Sequence, residues 1–122
     1  MPPPLTRNLN DDFKAQIVQQ ILAGQPEDAL TTLAKHLRID PPQIRVGVLK
    51  RRTKGILAVY SPQTKTIYAA RREYMYDPLT ILHEFYHHLR TIAGEHRGTE
   101  KYADRFAREF MESYMASQHH PP

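Results

Sequence analysis

Prolines and glycines set the limits of every helix this chain can form. Proline lacks a backbone donor and clashes with the preceding turn, while glycine accepts the left-handed conformation at a helix end. Asn10, Asp11 and Asp12 make a helix start, Phe13, Ile17 and Ile21 recur at four-residue spacing, and Gly24 closes the run. Pro26, Glu27 and Asp28 open a second helix with the stripe Leu30, Leu33 and Leu37, and "IDPP" stops it. "IRVGVL", "ILAVYS" and "TIYAAR" then read as strands. The first ends in the basic turn "KRRTKG", and the second and third are joined by "PQTK", where Pro62 is pre-set for a turn. Asp77 and Pro78 begin a third helix, and Thr99 caps a fourth. The order predicts an α+β domain: two N-terminal helices, a small three-stranded, mostly antiparallel sheet, and two C-terminal helices. A chain of 122 residues is one domain by size, with 1–9 and 117–122 expected as flexible tails.

Composition narrows the function classes. There is no cysteine, which excludes disulfides and thiolate metal sites. No apolar run approaches the roughly 18 residues of a membrane span, and "MPPPL" does not read as a signal peptide, so the expected address is the cytoplasm. The net charge is +4, with basic clusters at Lys50, Arg51, Arg52 and Lys54 and at Arg71 and Arg72. A phosphate-binding patch is one reading of them, and a solvated turn and strand end is the favoured one. "ALTTLAKHLRIDPPQIR" has the rhythm of a helix-turn-helix, but two prolines at the turn and the β-rich stretch beyond argue against a recognition helix. Nucleic acid is therefore a partner the sequence admits and does not favour.

The chemistry concentrates in the third predicted helix. At roughly 100° per residue, Leu82, Phe85, Leu89 and Ile92 share one arc, while His83 and His87 fall on nearly the opposite side. Residues four apart on a helix have Cβ atoms about 5–6 Å apart, so both imidazoles can converge on one ion at about 2.0–2.1 Å per bond. Glu84 projects to the flank, beside the ion, where a carboxylate can take a proton from an attacking water. This is an HExxH arrangement, His83-Glu84-Phe85-Tyr86-His87. His88 and His96 make the segment histidine-rich, so a third ligand must decide.

A metzincin continuation needs glycine at 90 and histidine at 93, and the chain has Arg90 and Ala93. The fourth helix offers Glu100 and Asp104, one turn apart at the margin of an apolar face of Ala103, Phe106, Ala107, Phe110 and Tyr114. Carboxylates edged toward a core are costly unless paired or metal-bound, so the two suggest one on the ion and one holding a histidine from behind. The alternative is a dipole-favoured glutamate plus a surface aspartate, with His96 as the remaining candidate ligand. Gly94 and Gly98 in "AGEHRG" permit the sharp return that brings Glu100 beside His87.

"HEFYH" followed by "TEKYADRFA" resembles the gluzincin pattern of zinc metallopeptidases, HExxH on one helix and ExxxD on a second. The element order is similar to the minigluzincins and to the catalytic domain of ImmA/IrrE-like peptidases, over about residues 26–115. The resemblance implies one Zn2+ held by His83, His87 and Glu100, Glu84 as general base, and Asp104 as the partner of His83. It implies a peptide or protein substrate hydrolysed as Glu84 moves a proton from water to the leaving amine. Tyr86 stands where the family commonly has glycine, so its bulk is expected to crowd the cleft. For the oxyanion, His96, Tyr74 and Tyr76 are candidates, and "KTIYAAR" is expected to align an extended substrate by main-chain pairing. Two further expectations follow from the resemblance. One is latency, with "MPPPL" or "ASQHHPP" as plugs and His119 or His120 on the ion. The other is a regulatory, DNA-associated protein whose site acts on a repressor or is silent.

Overall fold

The computed structural model describes residues 9–47, 55–94 and 99–118. They form α1 (Asp11–Leu22), α2 (Pro26–Leu37), β1 (Gln43–Val46), β2 (Ala58–Ser61), β3 (Thr66–Ala69), a short 3-10 helix (Arg72–Tyr76), α3 (Pro78–Ile92) and α4 (Thr99–Gln118). This is the expected α+β class in the expected order. The Asn10 side chain accepts the Phe13 amide at 2.8 Å and starts α1. Gly24, at φ 85°, takes the left-handed conformation just beyond the end of α1. Arg38 ends α2 with φ 62°, an unusual conformation for a residue carrying a Cβ.

The sheet is mixed. Its order is β1-β3-β2, with β1 parallel to β3 and β2 antiparallel to it. One of the two pairings is thus parallel, and β1 and β2 are not neighbours, so the link between them is a crossover and not a hairpin. The central place goes to β3 because it is the most buried strand: Thr66, Ile67 and Ala69 are all buried, whereas β1 buries Ile44 alone. The Lys50, Arg51, Arg52 and Lys54 cluster lies outside the described residues, and Arg71 and Arg72 are exposed. Beyond α2 the chain enters strand β1, so the second helix of a helix-turn-helix is not formed at that place.

α4 packs against α1 and α3. The core joins Ile17, Val18 and Ile21 of α1, Leu30, Leu33 and Ala34 of α2, Ile81, Leu82, Phe85 and Leu89 of α3, and Ala103, Phe106, Ala107 and Phe110 of α4. Each large side chain among them contributes about 1.5–3 kcal/mol by leaving water. Three expectations are corrected. Leu9, placed in a flexible tail, is 7% exposed and belongs to the core. α4 continues to Gln118, beyond the tail boundary expected at 117. On α3, Ile92 is only half-buried, and Ile81, Tyr86 and His88 occupy the inward positions instead. Among the described residues no helix is long and apolar enough to cross a membrane.

Candidate metal centre

α3 presents two faces. Its inward face seats Phe85 against Phe106 with ring centroids 6.3 Å apart, and this contact fixes α3 on α4. His83 and His87 lie at the rim of this contact, where Glu100 and Asp104 from the first two turns of α4 reach them. Their rings lie 5.0 Å apart at 70°, and their Nε2 atoms are 3.3 Å apart. Glu100 reaches both: Oε1 is 3.0 Å from His83 Nε2, and Oε2 is 2.9 Å from His87 Nε2. Asp104, one turn further along α4, places Oδ1 2.8 Å from His83 Nδ1. The return that the sequence permitted is made.

This geometry assigns protons. A carboxylate only accepts, so His83 donates from Nδ1 to Asp104. In the neutral ring this leaves the Nε2 lone pair facing Glu100 and the His87 Nε2. Burial keeps the pKa of His87 below its ordinary value, although Glu100 beside it favours the charged form. Lone pairs converging without enough hydrogens to share are the electrostatic condition that a cation relieves. His83, His87 and Glu100 each offer one atom within 4.8 Å of the others, and together they can hold a metal ion.

The two carboxylates are not edged into the core as the sequence suggested. Glu100 and Asp104 are 77% and 67% exposed, so no cost of burial selects them. What selects them is the placement of α4, which puts two successive turns beside one imidazole.

Glu84 sits on the flank of the pair. Burial pushes its carboxyl up to about 7; the His83 charge works against that shift, Glu100 adds to it, and the Tyr60 backbone N–H, donating to the carboxylate, lowers it. A cavity of about 470 Å³ runs along this face, with His83, Glu84, His87, Arg90 and Thr91 of α3 as its floor. Ile56, Ala58, Val59, Tyr60 and Pro62 form one wall, and Glu100 stands opposite.

Several expectations about the cleft change. Tyr86 does not crowd it: the residue is 1% exposed and packs in the core with its ring 5.2 Å from that of Phe106. Tyr74 and Tyr76 pack against the core and do not line the cavity, while His96, His119 and His120 lie outside the described residues. The strand of "KTIYAAR" is β3, which is paired on both sides and cannot accept a further strand. Among the described residues the free edge beside the cavity belongs to β2.

Sequence reasoning missed Tyr60, His88 and Arg90. His88 is fully buried, with Nε2 2.7 Å from the Asp40 carbonyl oxygen and Nδ1 2.8 Å from the Tyr60 hydroxyl. The signal was there: His88 follows Ile81 and Phe85 at spacings of seven and three, which is the core periodicity. Burial lowers its pKa, so the ring is kept neutral. Comparison of the chain with protein-family models, curated proteins and solved structures finds no match.

Proposed function

We propose that this chain is a zinc metallopeptidase of the gluzincin type, hydrolysing peptide bonds with Glu84 as general base. The observation that carries the reading is the convergence of His83, His87 and Glu100 on one point, with Asp104 behind His83 and Glu84 beside the group. Zinc suits the donor set in kind, two imidazoles and a carboxylate. It also suits its size. A tetrahedron's edge is about 1.63 times its centre-to-corner length, so Zn–N bonds of about 2.0–2.1 Å call for nitrogens about 3.3–3.4 Å apart. The two Nε2 atoms are separated by 3.3 Å.

A bound zinc ion supplies a Lewis acid, which polarises the scissile carbonyl and acidifies the attacking water. The chain's own residues do the rest. Asp104 holds the His83 ring in the tautomer that presents Nε2. Glu84, on the flank, takes the proton from the water as oxygen attacks the carbonyl carbon. It then delivers that proton to the nitrogen as the C–N bond breaks. An extended substrate fits along the β2 wall of the cavity, where Ile56 and Val59, 45% and 42% exposed, offer apolar contacts. The test is metal content by mass spectrometry together with hydrolysis of a peptide library. Wild type should hold near one zinc per chain and cleave; Glu100→Ala should lose most zinc; Glu84→Gln should keep zinc and lose cleavage. Wild-type cleavage by Glu84→Gln, or equal zinc in Glu100→Ala, refutes the assignment.

A further inference from the structure

We infer that Tyr60 and His88 are positioning residues for Glu84, forming a tie that runs from the loop after α2, through α3, to the peptide N–H that holds the base. The inference rests on the peptidase reading for its consequence in catalysis, and on geometry alone for the tie.

The direction of each hydrogen bond follows from its partners. The Asp40 carbonyl can only accept, so His88 carries its proton on Nε2, and Nδ1 is left as an acceptor. Tyr60 therefore donates its hydroxyl proton to His88 Nδ1 at 2.8 Å. The tyrosine is 7% exposed and the histidine is fully buried, so neither bond has water as a ready substitute. The ring of Tyr60 is thus held at its far end by α3.

The backbone of Tyr60 faces the other way. In an antiparallel pair, residues alternate between those bonded to the partner strand and those whose N–H and C=O point outward. The Leu57 carbonyl accepts from the Ala70 amide, which makes Leu57 and Ala70 a bonded pair and Tyr60, three residues on, an outward one. Its N–H therefore points out of the sheet on the edge beside the cavity that Tyr60 and Glu84 both line, and donation from that N–H is one of the influences that hold down the Glu84 pKa. Edge amides of this kind normally meet water or another chain. Here the edge amide of a strand is spent on the group that must stay aimed at the metal ligands. His88, one residue beyond His87, closes the circuit from α3 to β2 and back to α3.

Amide hydrogen exchange at Tyr60 in the zinc-loaded chain reads the tie directly, because no strand among the described residues pairs with that edge. The amide should be protected in wild type and lose protection in Glu84→Ala. Tyr60→Phe, which keeps ring and peptide but removes the donor, should exchange faster there and lower kcat by about tenfold, as expected when a base shifts by a fraction of an ångström. KM and zinc content should not change. His88→Leu should behave as Tyr60→Phe does, and His88→Asn, with an amide oxygen near the Nδ1 position, should restore both readouts. If His88→Leu does not fold, Tyr60→Phe decides. An unprotected Tyr60 amide in wild type, protection that survives Glu84→Ala, or wild-type exchange and kcat in Tyr60→Phe each overturn the inference. If wild type cleaves no peptide, the peptidase reading fails, and the exchange pattern alone still decides whether the tie exists.

Discussion

Asp104→Ala isolates the contribution of an exposed carboxylate to a metal site. Asp104 touches His83 Nδ1 at 2.8 Å and is 67% exposed, so its loss should leave the packing of α3 on α4 intact. Two effects follow. The His83 ring loses the acceptor that fixes its tautomer, and the proposed zinc site loses one negative charge close to where the cation would sit. Partners of this kind are worth about 10–100-fold in metal affinity. Exposure and screening place Asp104 at the low end, near tenfold, or about 1.4 kcal/mol. Asp104→Asn keeps an accepting oxygen without the charge and should lose less than Asp104→Ala. Competition of the purified chain with a chromogenic zinc chelator, at fixed ionic strength, measures both. The thermal midpoint of the metal-free proteins should be unchanged, since the contribution enters only through binding. Wild-type zinc affinity in Asp104→Ala would refute the reasoning, because it would mean that the 2.8 Å contact orients nothing. Equal losses in the Ala and Asn variants would instead assign the whole effect to charge.

Two predictions concern the scaffold. Tyr86→Ala, which moves this position toward the small residue of the resembled family, removes a ring that is 1% exposed and packed on Phe106; it should cost about 3–5 kcal/mol in urea unfolding without lowering KM, and a wild-type midpoint or a markedly lower KM would contradict that. Arg38→Gly relieves a left-handed residue at φ 62°; strain of about 1–2 kcal/mol, less about 0.5–1 kcal/mol of added chain entropy, leaves a gain of about 0–1.5 kcal/mol, to be read as a higher urea midpoint at constant m-value, and a lower midpoint would contradict it.

Much of this protein was legible from local spacing. Asn10, Gly24, Pro26 and Pro78 act within one helical turn of where they stand, so the limits of α1, α2 and α3 follow from them directly. The spacing of His83 and His87 depends only on helical geometry, and the match between Glu100 and Asp104 on one side and a single imidazole on the other needed only that two helices meet. Other features required the assembled chain. Strand order is set by which strand buries most area against the helices, and that placed β3 in the centre and left β2 as the free edge. Periodicity alone assigns a side chain to an arc of a helix, but not to the partner that arc will meet. Tyr86 turned inward because Phe106 of α4 came to lie beside it, and His88 could be buried because Asp40 and Tyr60, 48 and 28 residues away in the chain, supplied a carbonyl and a hydroxyl at its two nitrogens. Sequence by itself determined which atoms could bind a metal. Only the tertiary structure decided what holds those atoms still, because that support comes from groups distant in sequence whose approach no local spacing encodes.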